Sequence, residues 1–126
     1  MLYTESHEWI RIEGDVGTVG ITAYARKELG EIVYAELPLL GKKVRRGEEI
    51  AVLESTKAAA DIYTPVGGEI VAINEALASQ IDLIQTDPEG KGWLFKIALS
   101  CPQELDSLLS PSRYHELIQV ATQEVP

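Results

Sequence analysis

Ile50-Ala51-Val52-Leu53-Glu54-Ser55-Thr56-Lys57-Ala58-Ala59-Ala60-Asp61-Ile62-Tyr63-Thr64-Pro65 is the stretch that decides the fold. Two apolar runs, Ile50-Ala51-Val52-Leu53 and Ile62-Tyr63, flank a short segment of small residues, and Pro65 closes the second run. Two such runs with a short separator read as a β-hairpin. Lys57 then stands at or near the tip and projects into water. Lysine is not a turn former in the way that Gly, Asn, Asp and Pro are. A lysine among small residues at a hairpin tip is reachable from all sides, which suits a residue that another enzyme modifies. An ordinary exposed lysine fits the same local pattern, because charged groups favour the surface. The rest of the chain bears on the choice.

Working outward, Asp15 to Thr22 alternates apolar with small or polar residues, which is strand period. Thr22 can cap a short helix over Ala23 to Leu29, with Gly30 as its stop. Glu31 to Leu37 reads as the next strand, ended by Pro38. Leu39 to Gly47 carries Lys42, Lys43, Arg45 and Arg46 and reads as a turn-rich, solvated connection. After the hairpin, Pro65-Val66-Gly67-Gly68 is a turn signal. Glu69 to Ile73 is a further strand, and Asn74 can cap a short helix over Glu75 to Ser79. Asp87 to Gly92 is a loop and Trp93 to Leu99 the last strand. The tail changes character. A helix is expected from Gln103, with Leu105, Leu108 and Leu109 at helical spacing. A second starts at Ser110-Pro111, with Tyr114, Leu117, Ile118 and Ala121 on one face. Short strands at this spacing followed by helices predict a mainly β domain, a sandwich or barrel with minor α. Two glycine-led segments, Gly47 to Val52 and Gly68 to Ile73, hint at a quasi-repeat on either side of Lys57.

A chain of 126 residues suits one domain spanning 1–126, with a core over about 14–99 and C-terminal helices over about 103–123. A net charge of −9 argues against nucleic-acid binding, which needs a basic footprint. An acidic surface suits docking on basic patches of other proteins, or solubility alone. The single cysteine, Cys101, can form neither an intramolecular disulfide nor a metal cluster. His7 and His115 have no co-ligands at metal spacing, so no metal site is expected. No run approaches the roughly 18 apolar residues of a membrane span. A cytoplasmic protein is expected, or a mitochondrial matrix protein if it has been processed in an organelle. No phosphate-binding loop, dinucleotide fingerprint or nucleophile elbow is present. A Schiff-base lysine would want a desolvated amine, and a hairpin tip offers the opposite. The chemistry is better attached to Lys57 than performed by its bare amine.

Taken together, the residues match a family. The matches are Tyr3-Thr4, Ser6-His7-Glu8-Trp9, Gly20-Ile21-Thr22, Leu29-Gly30-Glu31-Ile32-Val33 and Glu36-Leu37-Pro38. They continue through Glu54-Ser55-Thr56-Lys57-Ala58, Asp61-Ile62-Tyr63, Gly68-Glu69-Ile70, Asn74-Glu75-Ala76-Leu77, Asp87-Pro88 and Gly92-Trp93-Leu94. In this order they resemble the H protein of the glycine cleavage system, a lipoyl-carrier family. The resemblance implies a lipoyl-domain-like hybrid barrel-sandwich with lipoic acid in amide linkage on Lys57. Biotin carriers place methionine on both sides of the modified lysine; here the neighbours are Thr56 and Ala58.

The implied role is that of a non-catalytic swinging arm. The lipoyl disulfide on Lys57 would accept an aminomethyl group from glycine decarboxylase, the P protein. Aminomethyltransferase, the T protein, would pass the carbon to tetrahydrofolate. Dihydrolipoyl dehydrogenase, the L protein, would reoxidise the arm, and a lipoate ligase or lipoyltransferase would attach it. A monomer is the expected state, since a shuttle visits several partners. A loaded arm ends in a cationic amine, whose retention calls for a carboxylate and some exclusion of water. By resemblance, Ser6, Glu8 and Asp61 line the docking cleft, with Glu8 and Asp61 the candidates to hold the amine. Simple exposure or local capping is the alternative reading of both. Glu54 is a candidate for recognition by the attaching enzyme, or a plain strand-end carboxylate.

The chain also departs from the family pattern. It has Gly67 in place of a serine, Ile81-Asp82-Leu83-Ile84-Gln85 in place of Pro-Glu-Leu-Val-Asn, and Glu89 and Lys91 in place of a tyrosine and a glutamate. These changes spare the lipoyl run and bear on how the surface pairs with the P and T proteins. Two other functions remain open: a lipoyl carrier that relays lipoate to 2-oxoacid dehydrogenases or serves a redox or regulatory role, and an unmodified interaction module.

Overall fold

The computed structural model describes the backbone of residues 1–123 and the side chains of residues 1–120. Nine strands form two antiparallel sheets among these residues. The larger sheet holds β1 (Leu2–Tyr3), β2 (Glu8–Glu13), β3 (Val16–Ile21), β9 (Phe95–Leu99), β8 (Gly68–Ile73) and β5 (Lys43–Val44), in that spatial order. The smaller holds β4 (Ile32–Glu36), β6 (Glu49–Ser55) and β7 (Ala59–Tyr63). Ile10, Val19, Ile70, Phe95 and Ile97 of the larger sheet and Ile32, Leu53 and Ile62 of the smaller belong to one buried cluster. This is the mainly β sandwich that the strand spacing predicts.

The deciding stretch is a hairpin. Leu53 pairs with Ala60 and Glu54 with Ala59, which leaves Ser55 to Ala58 as the tip. Period-2 alternation sends Ile62 into the core and leaves Ala59, Asp61 and Tyr63 exposed. α1 (Ala23–Leu29) lies where its cap signals put it. Thr22 Oγ1 accepts the Ala25 N–H at 3.2 Å, and Gly30 ends the helix at φ 82°. None of the α1 residues is fully buried, so the caps carry much of its stability.

Several local expectations are corrected. β1 and β2 are strands that local periodicity did not signal, because Glu8, a charged residue, is buried beside Trp9 and Ile10 and breaks the alternation. The basic segment after Pro38 contains the short strand β5, paired with β8. Asn74 precedes a 3-10 turn at Glu75–Ala78 but does not cap it with its side chain. Its amide instead donates to the carbonyls of Lys91 and Trp93, both at 2.8 Å, which satisfies the buried Asn74 side chain. α2 (Leu83–Thr86) was not signalled. The tail begins with a 3-10 turn at Pro102–Ser107, followed by α3 (Pro111–Gln123). Tyr114 is buried as expected, Leu117 and Ile118 are half-buried, and the Ala121 side chain lies outside the described residues.

Candidate functional site

The tip is built by Ser55. Its N–H donates to the Ala58 carbonyl at 2.8 Å. Its hydroxyl donates to the same carbonyl at 3.0 Å and accepts the N–H groups of Lys57 and Ala58, each at 3.1 Å. A serine thus closes the turn in the manner of an ST motif, without Gly or Asn. The Thr56 N–H donates to the Glu31 carbonyl at 3.0 Å, which ties the tip to the corner between α1 and β4. Lys57 is exposed, with its stem lying along Gly30. A Cβ at position 30 would meet Lys57 Cε at 3.3 Å, which the exposed lysine stem can relieve, whereas the φ of 82° itself favours glycine there. Glu54 is exposed one residue before the turn, opposite Ala59 and Tyr34 in the ladders.

At the other end of β7 lies a cleft of about 310 Å³, bordered by Thr4, Ser6, Glu8, Arg46, Tyr63 and Ser107 among others. Glu8 is 1% exposed. Its Oε1 accepts the hydroxyls of Thr4 and Ser6, both at 2.6 Å, and its Oε2 accepts the Tyr63 N–H at 3.4 Å. A buried carboxylate needs such donors. All three are neutral. The ion pair among the described residues is Lys42–Glu48, 3.7 Å, and Glu8 has no cationic partner there. Its side chain is thus met by neutral donors alone among the described residues.

Arg46, on the same cleft, donates to Ser107 Oγ at 2.7 Å. Ser107 Oγ in turn donates to the Glu104 carbonyl at 2.9 Å. The Glu104 side chain accepts the Gly67 N–H at 2.8 Å.

Among the sequence candidates, the fold brings Ser6 and Glu8 together. Lys57 and Glu54 stand at the opposite end of the hairpin. From Ala59 to Tyr63 β7 runs four residue steps, about 13 Å at the usual strand rise. Asp61 does not border the Glu8 cleft. It sits on the outward face of β7 between the tip and Tyr63. Asp61, through hydrogen bonding with the Glu49 carboxyl first and charge repulsion second, raises the Glu49 pKa. Sequence reading missed Thr4, Arg46, Tyr63 and Ser107. Two hydroxyls within four residues of a carboxylate were a usable signal, since the tight turn over Thr4 to His7 between β1 and β2 folds both back onto Glu8. Arg46 and Ser107 had none, being 61 residues apart. No group of His, Cys, Asp or Glu among the described residues is arranged to hold a metal.

Behind the site, the Tyr114 hydroxyl of α3 meets Thr22 Oγ1 at 2.7 Å and His7 Nδ1 at 2.8 Å. Burial, chiefly, pushes the Tyr114 hydroxyl up to about 12. The Glu89 carboxylate accepts the Ala23 N–H at 2.8 Å, adding a second cap to α1. The Thr22, Glu89 and Gly30 contacts hold the helix against which Lys57 rests.

The family model described as "Glycine cleavage H-protein" matches residues 1–121. A probable glycine cleavage system H protein of Aeropyrum pernix is 55% identical over 93% of this chain and 82% of its own length. The glycine cleavage system H protein of Thermotoga maritima is 51% identical over 90% of this chain and 92% of its own. The crystal structure of a glycine cleavage system H protein from Mycobacterium marinum superposes with a TM-score of 0.85 at 37% identity, covering 93% of this chain and 94% of that one.

Proposed function

Since the chain belongs to the glycine cleavage H-protein family, we propose that it is a non-catalytic carrier with a lipoyl group in amide linkage on Lys57. It moves the aminomethyl group of glycine from the P protein to the T protein. The L protein and a lipoate ligase or lipoyltransferase complete its partners, and the cytoplasm is its place of work. The observation that carries this reading is Lys57 itself, exposed at a tight tip whose turn is closed by Ser55 and braced on Glu31. A bare amine in water is open to acylation and poorly suited to catalysis of its own.

When attached, the lipoyl group supplies a disulfide that can be reduced and can carry a carbon unit. The chain's own residues do the rest. Ser55 and Gly30 hold the tip so that an arm on Lys57 departs from a defined point. β7 gives the arm a track toward the cleft, with Asp61 along it. Thr4 and Ser6 orient the Glu8 carboxylate, which receives a terminal ammonium group by a charge-assisted hydrogen bond. Tethering keeps the cargo at high effective concentration at each partner. Glu54, next to the turn, is read by the attaching enzyme. These residues fit the group: an acylable amine and a carboxylate-floored cleft stand on one hairpin.

The test is intact mass and peptide mapping after co-expression with a lipoate ligase and lipoate. One lipoyl increment on Lys57, absent in Lys57→Ala, is expected. No increment on the folded chain, with the ligase active on another acceptor, overturns the reading.

A further inference from the structure

The Glu8 cleft is bordered by a second charged side chain, Arg46. Arg46 is a permanent cation on the same cleft as the Glu8 carboxylate. A guanidinium paired with Glu8 would occupy the negative charge that a terminal ammonium needs. Among the described residues Arg46 is not so paired; it donates to Ser107 Oγ at 2.7 Å.

The Ser107 hydroxyl is set up for this. A hydroxyl has one proton to donate and lone pairs to accept with. The proton goes to the Glu104 carbonyl at 2.9 Å, so a lone pair is left for the Arg46 N–H. The Glu104 carboxylate is bonded to the Gly67 N–H at 2.8 Å, which pins the 3-10 turn carrying Ser107 to the start of β8. The tether thus runs from Gly67 through Glu104 and Ser107 to Arg46, and its anchor is backbone.

We propose that Ser107 is a positioning residue that holds Arg46 away from Glu8 and so leaves the Glu8 carboxylate free for a small primary ammonium group. This deepens the carrier reading and rests on the role given there to Glu8.

The test uses the unmodified chain and methylammonium as the probe, titrated at constant ionic strength. The readout is the backbone amide resonance of Tyr63, whose N–H bonds Glu8 Oε2. In the native chain the resonance shifts and saturates with methylammonium and not with tetramethylammonium, which has no N–H to donate. Ser107→Ala weakens binding roughly two- to fivefold, the range of a solvent-exposed ion pair set against the ligand. Ser107→Thr keeps the hydroxyl and native affinity. Arg46→Gln binds at least as tightly as the native chain, and Ser107→Ala/Arg46→Gln matches Arg46→Gln. Thermal melts of each variant accompany the titrations.

Native affinity in Ser107→Ala, while Glu8→Gln abolishes binding, overturns the positioning role and leaves the Glu8 reading standing. A double variant as weak as Ser107→Ala also overturns it, since the loss would not then act through Arg46. Native binding by Glu8→Gln, or no saturable shift in the native chain, overturns the Glu8 reading and this inference with it.

Discussion

Nδ1 of His7 lies 2.8 Å from the hydroxyl of Tyr114, 107 residues further along the chain. Tyr114 also stacks on Tyr3 with ring centroids 4.5 Å apart, and His7 packs on Tyr24 at 4.7 Å. These contacts tie α3 to β1 and to α1. Burial lowers the pKa of His7 below its ordinary 6.5, while Glu8 and Glu28 pull the other way. A depressed folded value means that the unfolded chain takes up the proton more readily. Stability is therefore full above the unfolded value of 6.5 and declines as the pH falls from there toward the folded value. His7 also has a left-handed φ of 72°, which asparagine tolerates. Between about pH 7.5 and about pH 5.5, the melting temperature is expected to fall less in His7→Asn than in the native chain. Equal falls in the two would show that His7 does not carry the acid sensitivity.

Glu89 stands where the family pattern has a tyrosine, and its carboxylate caps α1 through Ala23. Negative charge at a helix N-terminus and a satisfied N–H together contribute about 1 kcal/mol. Glu89→Ala is expected to lose that much in urea melts. It should also speed amide hydrogen exchange through α1, with the effect reaching Gly30 beside Lys57. Unchanged exchange in α1 would remove the capping role.

Position 68 has no room for a side chain. A Cβ there would lie 1.9 Å from the backbone oxygen of Ala98, across the β8–β9 ladder, and the backbone cannot yield without breaking that pairing. Gly14 also has positive φ, yet a Cβ there meets nothing within 4 Å. Gly68→Ala is expected to cost roughly 3 kcal/mol or more, and Gly14→Ala about 1 kcal/mol from backbone strain alone. Chemical denaturation of the pair checks this, and similar midpoints would contradict the steric account.

Asp61, as acceptor for a protonated Glu49 carboxyl and then through its charge, raises the Glu49 pKa above 4.5. A raised folded value means that the folded chain holds this proton better than the unfolded chain. The contribution is present below 4.5 and is lost as the pH rises through the folded value. In Asp61→Asn the Glu49 carboxyl should titrate closer to 4.5, read from side-chain carbon resonances. A value still raised would mean that the two carboxyls do not interact.

What the chain carried openly was local. The hairpin around Lys57 was legible because two apolar runs and a stretch of small residues lie within sixteen positions. α1 was legible because Thr22 and Gly30 flank it, and capping acts over one turn. The family could be read from an ordered series of short segments. The cleft could not. Glu8 becomes a buried carboxylate through the pairing of β2 with β3 and the approach of Tyr63, 55 residues away. Arg46 is bonded to Ser107, and His7 is met by Tyr114, across separations that no periodicity spans. Asn74, a plausible cap by its neighbours, was claimed instead by two carbonyls of the segment before β9. Turn chemistry and strand period are decided within a few residues. The partner of a side chain depends on sheet order and register, which the whole chain settles at once when its core is buried.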